Sequence, residues 1–285
     1  MLLPALFVVA SGFLNALWNL FAKQSLNKVV FLWSFQWVAV CIYLPWAIAS
    51  LDSHAIPRIG WLCLLCSVSL HGFYVVALSR TYTLGDLSQV YPLMRGVGPL
   101  LVPLLGVLWL GERLSWVGWL GVASIVVGIA ILGQWSQSIS PGGSRVFFTH
   151  SARLALVVGI AITAYTTIDK VTLRYIPPIV LNDASNLGNL LSLSWWALSS
   201  RAIKVEWRAH WKSILLGGII SPGSYLLFLL GLSLAPLVRL GPMRAVGLVF
   251  ATMMGIWVLK EPYGLRRMAA AALVAAGVIL LGVFG

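Results

Sequence analysis

Long uninterrupted runs of apolar residues, broken by short polar segments, set the pattern of this chain. Ten runs stand out, near 3–22, 29–50, 59–80, 87–109, 114–133, 153–173, 179–200, 213–233, 237–259 and 265–284. About 20 apolar residues in a helix cross a bilayer core of roughly 30 Å. The runs are too long and too unalternating for the ten-residue strands of a transmembrane barrel. The pattern therefore predicts an all-α integral membrane protein with ten transmembrane helices. The first run has no Lys or Arg before it and no small-residue cleavage site after it, so it reads as a span and not as a removable leader.

The second half of the chain repeats the first. Met94-Arg95-Gly96-Val97-Gly98 matches Met243-Arg244-Ala245-Val246-Gly247 at an offset of 149 residues. Leu110-Gly111-Glu112 matches Leu259-Lys260-Glu261, and the run from Gly128 to Gly133 matches Gly277 to Gly282, at the same offset. Gly72, Tyr74 and Leu78 pair with Gly223, Tyr225 and Leu229 at 151, and Gly12 and Lys23 with Gly159 and Lys170 at 147. The expected organisation is a first five-helix repeat over 1–133, a polar Pro-Gly-Gly linker over 134–152 and a second repeat over 153–285. Five is odd, so the second copy enters the membrane from the opposite side. The two inverted repeats would then be related by a pseudo-two-fold axis in the membrane plane, an architecture of secondary transporters whose site lies at the repeat interface.

Composition agrees. Sixty per cent of residues are hydrophobic, 9% are charged and mean hydropathy is +0.95. The net charge of +12 suggests nucleic acid at first sight. The basic residues, however, lie mostly in the gaps between apolar runs, where they anchor and orient helices against lipid. Trp109, Trp116, Trp135, Trp207, Trp211 and Trp257 fall near span ends, as an interfacial belt requires. Cys41, Cys63 and Cys66 sit inside apolar runs as small apolar residues, with no metal signature and no cofactor motif. A membrane-embedded enzyme would need a nucleophile, metal or carboxylate pair, and no such constellation is present.

Leu110-Gly-Glu-Arg-Leu-Ser115, followed by the glycine-spaced run 118–133, resembles the end of an EamA domain of the drug/metabolite transporter superfamily. Leu259-Lys-Glu-Pro262 and the Gly277 to Gly282 run are a similar, degraded second copy. The resemblance covers the whole chain as two EamA-type halves. It implies ten helices around a central cavity, transport of a small metabolite, and a multi-pass place in a bacterial inner membrane. Tyr91-Pro92 and Arg95-Gly-Val-Gly-Pro99 also resemble a branch associated with phosphonate utilisation.

Arg95 and Arg244 are the leading candidates for binding a substrate. Each lies about eight residues inside its span, so roughly 12 Å deep at 1.5 Å per residue. A charge there costs several kcal/mol unless it faces protein, water or a partner. At equivalent positions of inverted repeats the pair would converge, and guanidinium forks suit an anionic group. Pro92, Pro99 and Pro103 are expected to interrupt the fourth span and Pro242 the ninth, freeing carbonyls toward a wet cavity. Glu112, Glu206, Glu261 and Asp52 read as connection residues, and Asp86, Asp169 and Asp183 as residues near span ends. The expected absence of a carboxylate at mid-depth argues against cationic drugs and for an anionic or zwitterionic solute. Tyr74, Tyr225, Tyr91, Trp18 and Asn19 complete the candidate binding set, with Asn15, Tyr165 and Thr166 nearby. Asn182, Asn186 and Asn189 form one polar face of the seventh span, for which interhelical hydrogen bonding and a water path both account. His71 reads as a buried, hydrogen-bonded histidine, and Lys23 and Lys170 as helix-end cations. The glycines at 118, 121 and 128 allow close helix packing, within the chain or in a homodimer.

The reading is thus a secondary transporter of a small anionic or zwitterionic metabolite, with broad amino-acid or drug export as the alternative. Its partners are a small-molecule substrate and lipid, and nucleic acid is excluded. The Lys and Arg count in the loops favours both termini outside, whereas ten-span relatives more commonly place both inside.

Overall fold

The computed structural model describes residues 2–52, 55–84, 87–137, 150–257 and 265–285, and every regular element among them is a helix. In chain order these are α1 (Leu2–Gln24), α2 (Lys28–Ala49), α3 (Arg58–Leu84), α4 (Leu87–Leu108), α5 (Trp116–Gln137), α6 (His150–Thr172), α7 (Pro178–Ser199), α8 (Ile203–Leu234), α9 (Leu237–Met243), α10 (Val246–Trp257) and α11 (Leu265–Phe284). The polar segment expected as a linker over 134–152 is partly helical, since α5 runs on to Gln137 and α6 starts at His150. Stops are local. Asn27 caps α2 by accepting the Val30 N–H at 3.1 Å, and Pro178 stands at the start of α7, where a missing N–H costs nothing.

Six stretches are long and apolar enough to cross a membrane: α1, α2, α3, α6, α8 and Leu237–Met254. Shorter apolar helices occupy Leu93–Leu108, Trp116–Leu132 and Met268–Phe284. Large apolar side chains point outward around the bundle, among them Leu6, Leu120, Ile160, Leu191 and Ile279. A soluble protein rarely exposes so continuous an apolar surface, and lipid covers it here.

Three features differ from the sequence expectation. The eighth span begins at Ile203, ten residues before 213, and bends at His210, whose backbone leaves the helical region (φ −130°, ψ 22°). The fourth span is not interrupted, because α4 stays helical through Pro92, Pro99 and Pro103. Each proline deletes one helix bond, and packing against α6, α9 and α5 holds the rest. The ninth span does break, at Arg244–Ala245, one residue beyond Met243. There Ala245 N–H donates to the Pro242 carbonyl at 2.9 Å and Leu248 N–H to the Ala245 carbonyl at 2.9 Å, tight three-residue turns in place of the α-helical ladder.

The helices pack in a regular scheme. α1 lies on α8 and α3 on α6; α2 faces α7, α4 faces α9, and α5 pairs with α11. The α5–α11 seam uses the expected glycine face. A side chain on Gly121 would meet the Gly277 carbonyl oxygen at 2.9 Å, and Ser124 Oγ donates to the Leu273 carbonyl at 2.8 Å. That face is therefore occupied within the chain and is not open to a second copy.

Two glutamates read as connection residues tie helix starts together. Glu206 belongs to the first turn of α8 and is fully buried. Its carboxylate accepts the Asn27 N–H at 2.7 Å and the Leu26 N–H at 3.3 Å. Glu112, in the Leu-Gly-Glu motif, accepts the Leu237 and Val238 N–H groups at 2.9 and 2.8 Å, the first two residues of α9. Its repeat counterpart Glu261 lies outside the described residues. Glu112→Gln keeps one acceptor oxygen of two and loses the charge that suits a helix start. It is expected to lower stability by about 1–2 kcal/mol, as loss of a helix cap does. Thermal unfolding of the detergent-purified variant checks this; an unchanged midpoint would mean that the carboxylate contributes nothing.

Other residues also serve the frame. Lys170 donates from Nζ to the carbonyls of Leu232 (2.7 Å) and Ala235 (2.8 Å), so it satisfies the end of α8 and does not reach for headgroups. Trp109 and Trp116 are exposed at a span end as a belt requires, whereas Trp207 points inward and donates its indole N–H to Ser34 at 2.9 Å. The side chains of Trp135 and Trp257 lie outside the described residues.

Candidate functional site

Where α1, α2, α3, α6, α7 and α8 diverge they leave about 580 Å³ of unfilled space, part of it open to solvent. Its walls carry more polar groups than a packed core would. Asn15 and Trp18 come from α1, Gln36 from α2, His71 and Tyr74 from α3, and Tyr165 from α6. Asn186 and Asn189 come from α7, Ser224 and Tyr225 from α8, and Arg244 reaches in from the break between α9 and α10.

A second space of about 390 Å³ lies against α4, α6 and α9, lined by Arg95, Pro99, Thr166, Gly241 and Arg244 among others. The two arginines expected to converge thus border one cleft, and Arg244 borders both spaces. The broken helix explains the reach of Arg244. In a continuous ninth span it would sit on the helix wall; at the break, its backbone N–H turns back to the Gly241 carbonyl and its side chain points into the bundle.

The guanidinium of Arg244 lies over the Phe228 ring at 4.4 Å and the Tyr225 ring at 5.1 Å, and Nη1 reaches Tyr165 Oη at 3.4 Å. Its Nε is buried and has no hydrogen-bond partner among the described residues. Among the described residues no carboxylate forms an ion pair with it. Aromatic faces lower the cost of desolvating a guanidinium but leave its N–H fork available. Arg95 is half-buried and donates from Nη2 to Asn15 Oδ1 at 2.6 Å.

The remaining candidates divide. Tyr74 lines the larger cavity edge-on to Tyr165, ring centres 5.3 Å apart. Trp18 lines it against Phe35. Asn19 does not: its amide donates to the Asn15 carbonyl and side chain, and its oxygen accepts from Tyr82 Oη at 3.0 Å. One helical turn earlier, Asn15 holds the wall position instead. Tyr91 lies on α4, but its side chain falls outside the described residues.

Tyr225 leads to a finding that corrects the reading of the acidic residues. Its hydroxyl donates to the carboxylate of Asp169, which also accepts from Ser67 Oγ and from His71 Nε2 at 3.1 Å. His71 stacks on Tyr165 with ring centres 4.1 Å apart. Asp169 is near the end of α6, yet it is fully buried against the middle of α3, ten to fourteen residues into that helix. A carboxylate therefore does lie deep in the bundle. Three donors engage it and it is fully buried behind the cavity wall, so it holds the frame and is not presented to a solute. His71 is the buried, bonded histidine expected. Asp169, Gln36, Ser185 and Ser224 are among the cavity-region residues that sequence reading missed. Gln36 is an amide inside an apolar run, a signal that could have been used; the Asp169–His71 pair spans 98 residues of sequence and gave none.

The sequence profile of the EamA-like transporter family matches this chain twice, over residues 2–134 and 151–283. A Sinorhizobium protein described as an uncharacterized transporter in the cobO 3′ region is 40% identical over 77 residues, which is 27% of this chain and 54% of that protein. The chain spans about half the length of this relative. A protein solved by crystallography shares the fold, with a TM-score of 0.77 over 97% of this chain and 95% of its own, at 16% identity.

Proposed function

The chain belongs to the EamA-like transporter family, and we propose that it is a secondary transporter moving a small anionic or zwitterionic metabolite by alternating access. The single observation that carries the substrate class is Arg244, a cation at a helix break, bordering two cavities and having, among the described residues, an unpartnered N–H and no carboxylate paired to it. Keeping a guanidinium in that setting costs several kcal/mol. An anionic ligand offsets the cost in the bound state.

The mechanism rests on symmetry. We count α9 and α10 as one broken span, which gives ten transmembrane helices in two halves, and the family match falls on each half separately. Exchanging each helix of the first half for its counterpart turns the α1–α8 contact into the α6–α3 contact, and α2–α7 and α4–α9 into themselves. That pattern supports inverted repeats, with the cavity on their pseudo-axis where rocking of the halves would expose it to each side in turn. The place we assign the protein is a bacterial inner membrane, in keeping with its Sinorhizobium relative.

Thermal unfolding of the detergent-purified protein against small anions, zwitterions and organic cations tests the substrate class. The likeness around Tyr91 and Arg95 puts phosphonates on that panel beside phosphate and amino acids. A ligand at 100 times its Kd stabilises by about 2.7 kcal/mol, which a melting curve resolves. Stabilisation by anions or zwitterions is expected; stabilisation by organic cations alone would overturn the proposal.

A further inference from the structure

Several buried polar atoms on one face of α7 make no hydrogen bond to a neighbouring helix among the described residues. Asn182, Asp183, Asn186 and Asn189 are each no more than 7% exposed, as is Gln36 on the facing helix α2. Yet among the described residues both side-chain atoms of Asn182, Oδ1 of Asp183, Nδ2 of Asn186, Oδ1 of Asn189 and Oε1 of Gln36 have no hydrogen-bond partner. More than nine in ten buried polar groups in proteins are paired. Interhelical hydrogen bonding, one of the two readings of this stripe, would have paired them.

Other polar side chains in the bundle show that pairing is available. Ser185 and Ser194, on α7 itself, donate to the Leu181 and Leu190 carbonyls at 2.8 and 2.7 Å. Asn19 satisfies its amide on the Asn15 carbonyl at 2.7 Å. The α7 set with Gln36 is the largest group of unpaired buried polar atoms among the described residues. It is also continuous: Asn182 lies four residues and Asn189 eleven residues in from Pro178, so roughly 6 and 16 Å along the axis at 1.5 Å per residue. Asn186, Asn189 and Gln36 line the large cavity, and Asn182 and Asp183 continue the stripe toward the start of the helix. The opposite face of α7 carries Leu187, Leu191 and Leu198 exposed to lipid. Although 22 residues long, α7 is not among the helices apolar enough to count as spans by composition.

We propose that this face of α7, with Gln36, is the hydrated wall of the route between the cavity and the membrane face at which α7 begins. The polar atoms lack protein partners because water and the polar groups of a passing solute are their partners when the route opens. In the conformation described here the wall is closed over them. The role as a solute route rests on the transport reading, but hydration of the wall does not, and its test needs no substrate.

In a background with Cys41→Ala, Cys63→Ala and Cys66→Ala, single cysteines are placed at Ser185, Asn186 and Asn189, and at Leu187 and Leu191 on the lipid face at similar depth. Membrane vesicles are treated with the membrane-impermeant trimethylammonium methanethiosulfonate, which modifies thiols that water can ionise. The inward positions are expected to react at least tenfold faster than the two lipid-facing ones. Rates no faster than at Leu187 and Leu191, in variants that purify as a single monodisperse species, would overturn the proposal. Ser185→Cys is nearly isosteric and lines the same cavity, so it provides a well-folded reporter if an asparagine variant does not fold. A thermal panel on which no anion binds would remove the assigned substrate class and leave the labelling result standing.

Discussion

Arg244→Gln is expected to abolish the thermal stabilisation that an anionic or zwitterionic ligand gives the wild-type protein, with the ligand-free melting midpoint unchanged or raised. The two halves of this expectation have separate causes. Glutamine keeps the length of the first part of the side chain and a hydrogen-bonding end but lacks the charge and the fork of donors. Truncating one member of a buried, hydrogen-bonded charge pair costs about 2–5 kcal/mol of binding. A weakening of about 30-fold or more follows, at roughly 1.4 kcal/mol per tenfold. Ligand-free stability behaves differently because Arg244 has little invested in the fold: one long contact to Tyr165 Oη, two ring faces and an unpartnered Nε. Arg95→Gln should weaken binding less, since its Nη2 is already engaged with Asn15 at 2.6 Å. Full stabilisation of Arg244→Gln by the same ligands would show that the arginine is structural and would remove the anion from the proposal.

How much of this was legible in the sequence depends on the range of the interaction. Helix positions follow from apolar runs, because a bilayer requires every backbone group to be satisfied within its own segment. The repeat is legible because Met94–Gly98 and Met243–Gly247 keep their spacing, which also picked out both arginines. Proline was a poor guide. Three in α4 leave it helical, while the ninth span breaks two residues after Pro242, where surrounding packing decides. The Leu-Gly-Glu motif carried the resemblance, but the purpose of Glu112 is a cap on α9 some 125 residues away, which only the fold brings into reach. Asp169 is the extreme case: its position in the sequence reads as a span end, and only the length of α3 beside it makes that position deep.

Asp169→Leu is expected to be the most destabilising single substitution in the bundle among those considered. Leucine has the branching of the carboxylate side chain but bulkier ends, so two contributions arise: overpacking, and the three donors it abandons, Ser67 Oγ, Tyr225 Oη and His71 Nε2. Breaking a buried pair by removing one partner costs about 3–5 kcal/mol. For a chain of this size that lowers the melting midpoint by roughly 10 °C, at about 2–4 °C per kcal/mol. The control is the triple variant Asp169→Leu, His71→Phe, Tyr225→Phe. It removes the acceptor with two of its three donors, leaving Ser67 Oγ to turn to its own helix backbone, and replacing both sides of a buried hydrogen bond by apolar groups can be close to neutral. It should recover more than half of the loss, so that the pair of measurements separates an orphaned-donor cost from mere overpacking, which the triple variant would not relieve. The network joins α3, in the first half, to α6 and α8 in the second. A fall of under about 3 °C for the single variant would mean that water reaches the carboxylate, and that Asp169 belongs to the wet cavity instead of the seam between the halves.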